Sequence, residues 1–147
     1  EAACLTACML GGRFAILTLG RPEPYEELVA RHGLAARCAV VHGVPITPQE
    51  VLGDPDAAQL ALTAAIEGLA GRADSVVLAG AVLAGMDRTL QPTARLPLLD
   101  GMSCAVRLAE TLVRLNLPKP AAGSYAPLNG RESMGLPDTL ASLLRGD

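Results

Sequence analysis

The sequence predicts an α/β domain with a four-stranded, mainly parallel sheet flanked by helices. Short apolar runs that end in glycine or aspartate alternate along the chain with amphipathic stretches typical of helices. The segments between most neighbouring runs are long enough for the crossovers of about a dozen residues that parallel strands require. Half of the 147 residues are hydrophobic and only three are aromatic. The predicted core is therefore built from Ala, Leu, Val and Ile.

The N-terminal part of the sequence predicts a helix, a strand and a second helix. The opening EAACLTACML is typical of a helix already under way, so we expect an upstream portion to be missing. The run 13–19 (RFAILTL) predicts a strand buried on both faces. A helix follows from Pro24 to a stop at Gly33. The spacing of its buried face selects Tyr25, Leu28, Val29 and His32.

The alternation of predicted strands and helices continues in the middle of the chain. The run 37–44 (RCAVVHGV) predicts a second strand, and we expect a loop around Pro45 and Pro48. Asp54 and Pro55 are typical of a helix start and predict a helix over about 56–71. One face of that helix is formed by Leu62, Ile66 and Leu69. The run 75–78 (SVVL) predicts the third strand.

The last elements begin with a short amphipathic segment near 86–90 and a fourth strand at 96–99, terminated by Asp100 and Gly101. A helix is predicted over 103–115. Its inward residues would be Ala105, Val106, Ala109, Leu112 and Val113. We predict that residues 1–116 form the domain. The residues 117–147 would form a tail with a short helix at about 138–144.

Charge and hydropathy exclude several classes of partner. The net charge is −3 and the arginines form no basic stripe, which argues against nucleic-acid binding. No apolar run approaches the roughly 20 residues that span a bilayer, and the first residues do not resemble a signal peptide. We therefore expect a soluble, cytoplasmic protein with no membrane partner.

Cysteine and histidine give little indication of catalysis. Cys4, Cys8, Cys38 and Cys104 each lie in an apolar stretch, which favours reduced thiols over a disulfide framework. Cys4 and Cys8 would share a helical face, but no further ligand accompanies them, so core packing is preferred to a metal site. His32 lies in the last turn of its predicted helix, and His42, near the end of a strand, is better explained by local hydrogen bonds, so neither is a favoured catalyst. No metal or cofactor is predicted.

A ligand site is predicted at the carboxyl ends of the strands, where helix N-termini and loops converge in open α/β sheets. The substrate-binding candidates are Thr18, Gly20, Gly80, Ala81 and Asp100. Each glycine can also be only a turn former. Asp100 can cap the following helix as well as contact substrate, and capping is the preferred role. Ser103 is another plausible cap.

Four segments, taken in order, resemble hydantoin racemases of the aspartate/glutamate racemase superfamily. They are EAACLTACMLGGRFAILTLG, ADSVVLAGAVLAGM, LPLLDGMSCAVRLAETLVRL and PKPAAGSYAP. The resemblance covers nearly all of this chain and the C-terminal half of such enzymes. It implies one of two similar α/β lobes with the active site between them. It also implies cofactor-independent inversion of a carbon acid by two cysteines.

The chain departs from that pattern at the expected thiol positions. The lobe that would carry the first cysteine is absent, and Gly80 stands where the second is expected after the third strand. The catalytic residues are therefore unknown. Our first hypothesis is an isomerase-type enzyme, or its C-terminal portion, acting on hydantoins or amino-acid derivatives. The alternative is a non-catalytic binding or interaction module. In either case we expect a homo-oligomer or packing against the missing lobe.

Overall fold

A computed structural model describes residues 1–126, 130 and 133–145 of the chain. The strands are β1 (Phe14–Leu19), β2 (Cys38–Val44), β3 (Ser75–Leu78) and β4 (Leu98–Asp100). The helices are α1 (Ala2–Leu10), α2 (Glu23–Arg31), α3 (Pro48–Gly53), α4 (Pro55–Glu67), α5 (Met86–Leu90), α6 (Gly101–Arg114) and α7 (Asp138–Arg145). Short 3₁₀ turns cover Ala81–Leu83 and Gly123–Tyr125. No helix among the described residues is long and apolar enough to cross a bilayer.

The four strands form one sheet in the order β2-β1-β3-β4, and every neighbouring pair is parallel. This confirms the predicted fold class. The chain divides into two compact units, Glu1–Thr111 and Leu112–Asp147. The first unit contains the whole sheet, and the second contains α7. The predicted division at 116/117 stays a prediction, and residues 127–129, 131–132 and 146–147 of the predicted tail lie outside the described residues.

Two apolar layers cover the two faces of the sheet. Alternate residues of β1 enter different layers: Ile16 joins the layer that contains Cys4 of α1, whereas Leu17 joins the layer that contains Leu62 of α4. All four residues of β3 are buried. The prediction of a strand buried on both faces was made for the 13–19 run, and it is confirmed for β1, where only Leu19 is not fully buried. The predicted inner face of the helix over 56–71 is confirmed for Leu62 and Ile66, but α4 ends at Glu67, so Leu69 is buried beyond its end.

Arg37, immediately before β2, fastens the end of α1 to the sheet. Its guanidinium donates hydrogen bonds to the carbonyl oxygens of Cys8 at 2.8 Å, Gly11 at 2.6 Å and Gly12 at 2.6 Å. A cation is favourable there because the C-terminus of a helix carries partial negative charge. The contact fixes α1, whose opposite end borders the candidate site.

The predicted loop around Pro45 and Pro48 is wrong in its second half, because Pro48 begins α3. Thr47 and Glu50 form a capping box: the Thr47 hydroxyl accepts the Glu50 N–H at 3.2 Å, and the Glu50 carboxylate accepts the Thr47 N–H at 2.7 Å. Proline is well tolerated in the first turn of a helix because it has no N–H to satisfy.

The prediction for α6 is wrong in its start and in its inward face. The helix begins at Gly101 rather than at Ser103, because β4 runs through Asp100. None of its residues is buried, and Val106 and Val113 are 51% and 78% exposed. The periodicity marks an apolar face correctly, but no element of the described residues covers it. His32, predicted on the buried face of α2, is likewise exposed.

Candidate active site

Three neighbouring strands end at one edge of the sheet. The register pairs Leu17 of β1 with Leu78 of β3, and Leu78 with Asp100 of β4. The residues at or just beyond these strand ends therefore gather at the same edge, as the sequence predicts for Thr18 and Gly80. In open parallel sheets this is the edge at which ligands bind.

Two cavities open at this edge and share the turn after β3. The first cavity, of about 320 Å³, lies between the start of α1, that turn and the start of α6. The second cavity, of about 590 Å³, lies between the end of β1, the start of α2 and the same turn. The residues common to both are Tyr25, Ala79, Gly80 and Ala81. Both volumes fall within the roughly 300–1,000 Å³ typical of small-molecule sites.

Four of the five predicted substrate-binding residues line these cavities. Gly80 and Ala81 line both, Asp100 lines the first, and Thr18 lines the second. The N–H groups of Gly80 and Ala81 have no hydrogen-bond acceptor among the described residues. Two backbone donors without an acceptor in the described part of the chain thus lie on residues that line both cavities.

Gly20, the fifth predicted residue, lines neither cavity. Its N–H donates to the carbonyl oxygen of Val44 at 2.7 Å, which ties the turn after β1 to the end of β2. Its own carbonyl lies so close to Gly43 that a Cβ at Gly43 would overlap it. This close approach requires a glycine at position 43, whereas Gly20 itself has φ +65°, a conformation that favours glycine. The role of Gly20 towards substrate stays a prediction.

Gly80 has a backbone conformation that side chains rarely adopt, with φ +120° and ψ 138°. A Cβ built at this position would meet open space, apart from the Tyr25 hydroxyl oxygen at 3.8 Å. The absence of a side chain is therefore required by the main chain rather than by crowding. A cysteine here would need a different backbone.

Asp100 ends β4 and caps α6, as the sequence predicts. Its Oδ2 accepts the N–H of Ser103 at 2.8 Å, so Ser103 is a donor to the cap and not the cap itself. Burial alone would raise the pKa of Asp100, but hydrogen bonds from Ser103, Met102 and Gly85 favour the charged form and hold the pKa below its ordinary value. The first cavity therefore has an anionic wall beside the start of α6.

The cysteines are free thiols, as predicted. Cys4 lines the first cavity, and burial raises its pKa. Burial also raises the pKa of Cys38. No group of three or more His, Cys, Asp or Glu side chains within the described ranges is arranged to hold a metal. None of the thiols stands at the end of β3.

Tyr25 and Cys4 are among the cavity residues that sequence reasoning missed. Tyr25 was expected only as part of the buried face of α2, yet it lines both cavities. Cys4 was expected only in the core. The available signal for Tyr25 was its position: it lies in the first turn of the helix that follows β1, and first turns of such helices point towards the ligand edge of the sheet.

Comparison with known proteins agrees with this architecture. The sequence model of the Asp/Glu/Hydantoin racemase family matches residues 1–109. The hydantoin racemase of Rhizobium meliloti is 28% identical over 130 residues, covering 86% of this chain and 54% of that protein.

Solved structures give the same result. The allantoin racemase of Pseudomonas fluorescens matches 92% of this chain and 59% of its own, with a TM-score of 0.82 and 30% identity. The allantoin racemase of Klebsiella pneumoniae matches 92% of this chain and 57% of its own, with a TM-score of 0.79 and 28% identity. The chain thus spans a little over half the length of these relatives. The family model covers well over half of the chain, and the fold agrees with that of the solved racemases, so this chain belongs to the Asp/Glu/Hydantoin racemase family.

Proposed function

We propose that this chain supplies one lobe of an isomerase that moves a proton at a carbon acid of a hydantoin or amino-acid derivative, without a cofactor. The observation that carries the proposal is its likeness, over 92% of its length, to the allantoin racemase structure of Pseudomonas fluorescens. The other lobe would come from residues upstream of Glu1 or be replaced by a second copy of the chain. Four free thiols support a reducing, cytoplasmic location.

The junction of the two cavities would form one wall of the substrate cleft. The N–H groups of Gly80 and Ala81 would hold a ring carbonyl or carboxylate oxygen and stabilise the negative charge that develops when the α-proton leaves. Thr18 and Asp100 border the same space from the neighbouring strands. These roles follow from position and from the chemistry of an enolate-like intermediate.

The glycine at position 80 favours a second candidate function. Without a thiol at this strand end the lobe lacks the expected proton donor, so the chain would be a binding module that keeps the racemase fold and the cavity. Ligand binding without turnover is the signature of that alternative.

A solvent-exchange experiment separates the two. The full-length gene product is incubated in deuterium oxide with each enantiomer of a 5-substituted hydantoin, and then with a panel of amino-acid derivatives. We expect deuterium at the chiral carbon and loss of optical rotation, both faster than in enzyme-free buffer. Absence of exchange across the panel contradicts the isomerase. If thermal unfolding still shifts with the same compounds, the binding module is supported.

A further inference from the structure

Tyr25 places a hydroxyl where residue 80 has no side chain. Its oxygen is the nearest heavy atom to the Cβ position at Gly80, at 3.8 Å. Tyr25 lines both cavities together with Gly80 and Ala81, whose backbone N–H groups have no acceptor among the described residues.

The helix that carries Tyr25 fixes this orientation. α2 begins with the Pro22-Glu23-Pro24 segment directly after the end of β1, which brings its first turn to the ligand edge. One turn later Val29 is buried in the core, and Leu28 lines the first cavity. The ring of Tyr25 packs on the same apolar layer. An aromatic side chain anchored at its ring presents its hydroxyl with little freedom.

The other proton-carrying groups of the cavities are less suited to a transfer at this point. Asp100 is committed to the Ser103 N–H and is held in its charged form. The Glu1 carboxylate lies 3.3 Å from the His32 ring nitrogen. Cys4 of α1 is only 4% exposed, and burial raises its pKa, which disfavours the thiolate. Tyr25 is the group whose acidic atom lies beside Gly80.

We propose that the Tyr25 hydroxyl is the proton-transfer group on this wall of the cleft, in the role that a thiol at position 80 would have. The inference rests on the proposed isomerase function and names the acid on the Gly80 side. Tyrosine is among the side chains that act as general acids and bases in enzymes.

In the proposed step, protons move on both faces of the substrate. A thiolate from the other lobe takes the α-proton, the C–H bond breaks, and its electron pair moves into the adjacent carbonyl. The Tyr25 O–H bond breaks as a new C–H bond forms on the opposite face, which leaves a phenolate and a thiol. In the reverse direction the phenolate takes the proton and the thiol returns one. Exchange with solvent restores either starting state.

Deuterium exchange at the chiral carbon, measured separately for each enantiomer, tests this role. In the full-length gene product, Tyr25→Phe keeps the ring and removes only the hydroxyl. We expect racemisation to fall by at least about 100-fold in both directions. Deuterium should still enter one enantiomer with retention of configuration, because the base of the other lobe remains. The opposite enantiomer should no longer exchange. A group with only a structural role would not produce this asymmetry.

The control is Thr89→Val, which removes an exposed hydroxyl on α5 that lines neither cavity. It should behave as the wild type, and thermal unfolding should confirm that both variants are folded. Unchanged racemisation in Tyr25→Phe overturns the role of Tyr25 alone. Equal loss of exchange from both enantiomers also overturns it, because it indicates a binding role. No exchange in the wild type overturns the proposed isomerase and this inference together.

Discussion

The carboxylate of Asp100 accepts a hydrogen bond from the backbone N–H of Ser103 at 2.8 Å, which ties the last residue of β4 to the first turn of α6. The contact satisfies one of the N–H groups that the start of every helix leaves without a partner. It also fixes the side of the first cavity that Gly101 and Met102 line.

Loss of this cap should lower stability. We expect Asp100→Ala to reduce the free energy of unfolding by about 1 kcal/mol, measured by urea denaturation. Asp100→Asn, which keeps an acceptor oxygen, is the matched control and should lose less. Equal losses in the two variants would show that the carboxylate does not act as a cap.

The Asp100 carboxylate also makes the free energy of unfolding depend on pH. Because the pKa of Asp100 is lower in the folded state than in the unfolded state, its contribution is complete above the unfolded value of about 4 and disappears as pH falls through the folded value. The difference in unfolding free energy between wild type and Asp100→Asn should therefore shrink on acidification below pH about 4. A difference that grows in that range would contradict the assignment.

The close approach of Gly20 and Gly43 predicts a second stability effect. In Gly43→Ala the added methyl group would meet the Gly20 carbonyl, so β1 and β2 must shift apart near their ends. A loss of roughly 1–3 kcal/mol is expected. Gly53→Ala is the matched control, because nothing lies within 4 Å of its Cβ position. It should be neutral or slightly stabilising, and a similar loss in both would exclude the backbone contact as the cause.

The backbone of Gly80 predicts that a thiol cannot simply be restored. Both Gly80→Ala and Gly80→Cys should destabilise the protein by about 1–3 kcal/mol, and by similar amounts, because the strain arises at φ +120° and not from the size of the side chain. Thermal or urea unfolding of the pair tests this. A neutral Gly80→Cys together with a destabilised Gly80→Ala would contradict it.

The exposed apolar face of α6 predicts self-association of the 147-residue chain. Val106 and Met102 are 51% and 65% exposed on this helix, and such surfaces favour burial in an interface. Light scattering after size exclusion should show a species larger than the monomer. Val106→Glu should shift it towards the monomer, whereas Ala64→Glu on the exposed side of α4 should not. A monomeric wild type would contradict the prediction.

Sequence reasoning succeeded where a pattern reports directly on burial. The run SVVL is apolar almost throughout and is followed by small residues, so β3 was located residue for residue. It failed where the outcome depends on other parts of the molecule. The stripe through Val106 marks an apolar face, but periodicity does not say what covers that face. The capping box at Thr47 was readable from its Thr and Glu spacing, and the two nearby prolines obscured it.

The residues of the candidate site also include some that the sequence predicts and some that it does not. Thr18, Gly80, Ala81 and Asp100 could be predicted because strand ends of a parallel sheet must share an edge. Tyr25 was missed because helical spacing indicates that a residue faces inward but not that the interior there is a cavity, and its place in the first turn of α2 was the unused signal. Gly20 shows the converse: a glycine after a strand suggests a ligand, whereas Gly20 lines neither cavity and serves a turn with φ +65°.

Some glycine codons differ from a cysteine codon by a single nucleotide, so mutation can exchange the two residues in either direction. The main chain makes the two directions unequal. Glycine adopts φ +120° without strain, whereas a cysteine at this position would need the turn to change its conformation. We therefore expect that a protein with glycine at position 80 would more readily recruit a neighbouring side chain than acquire a cysteine at this position.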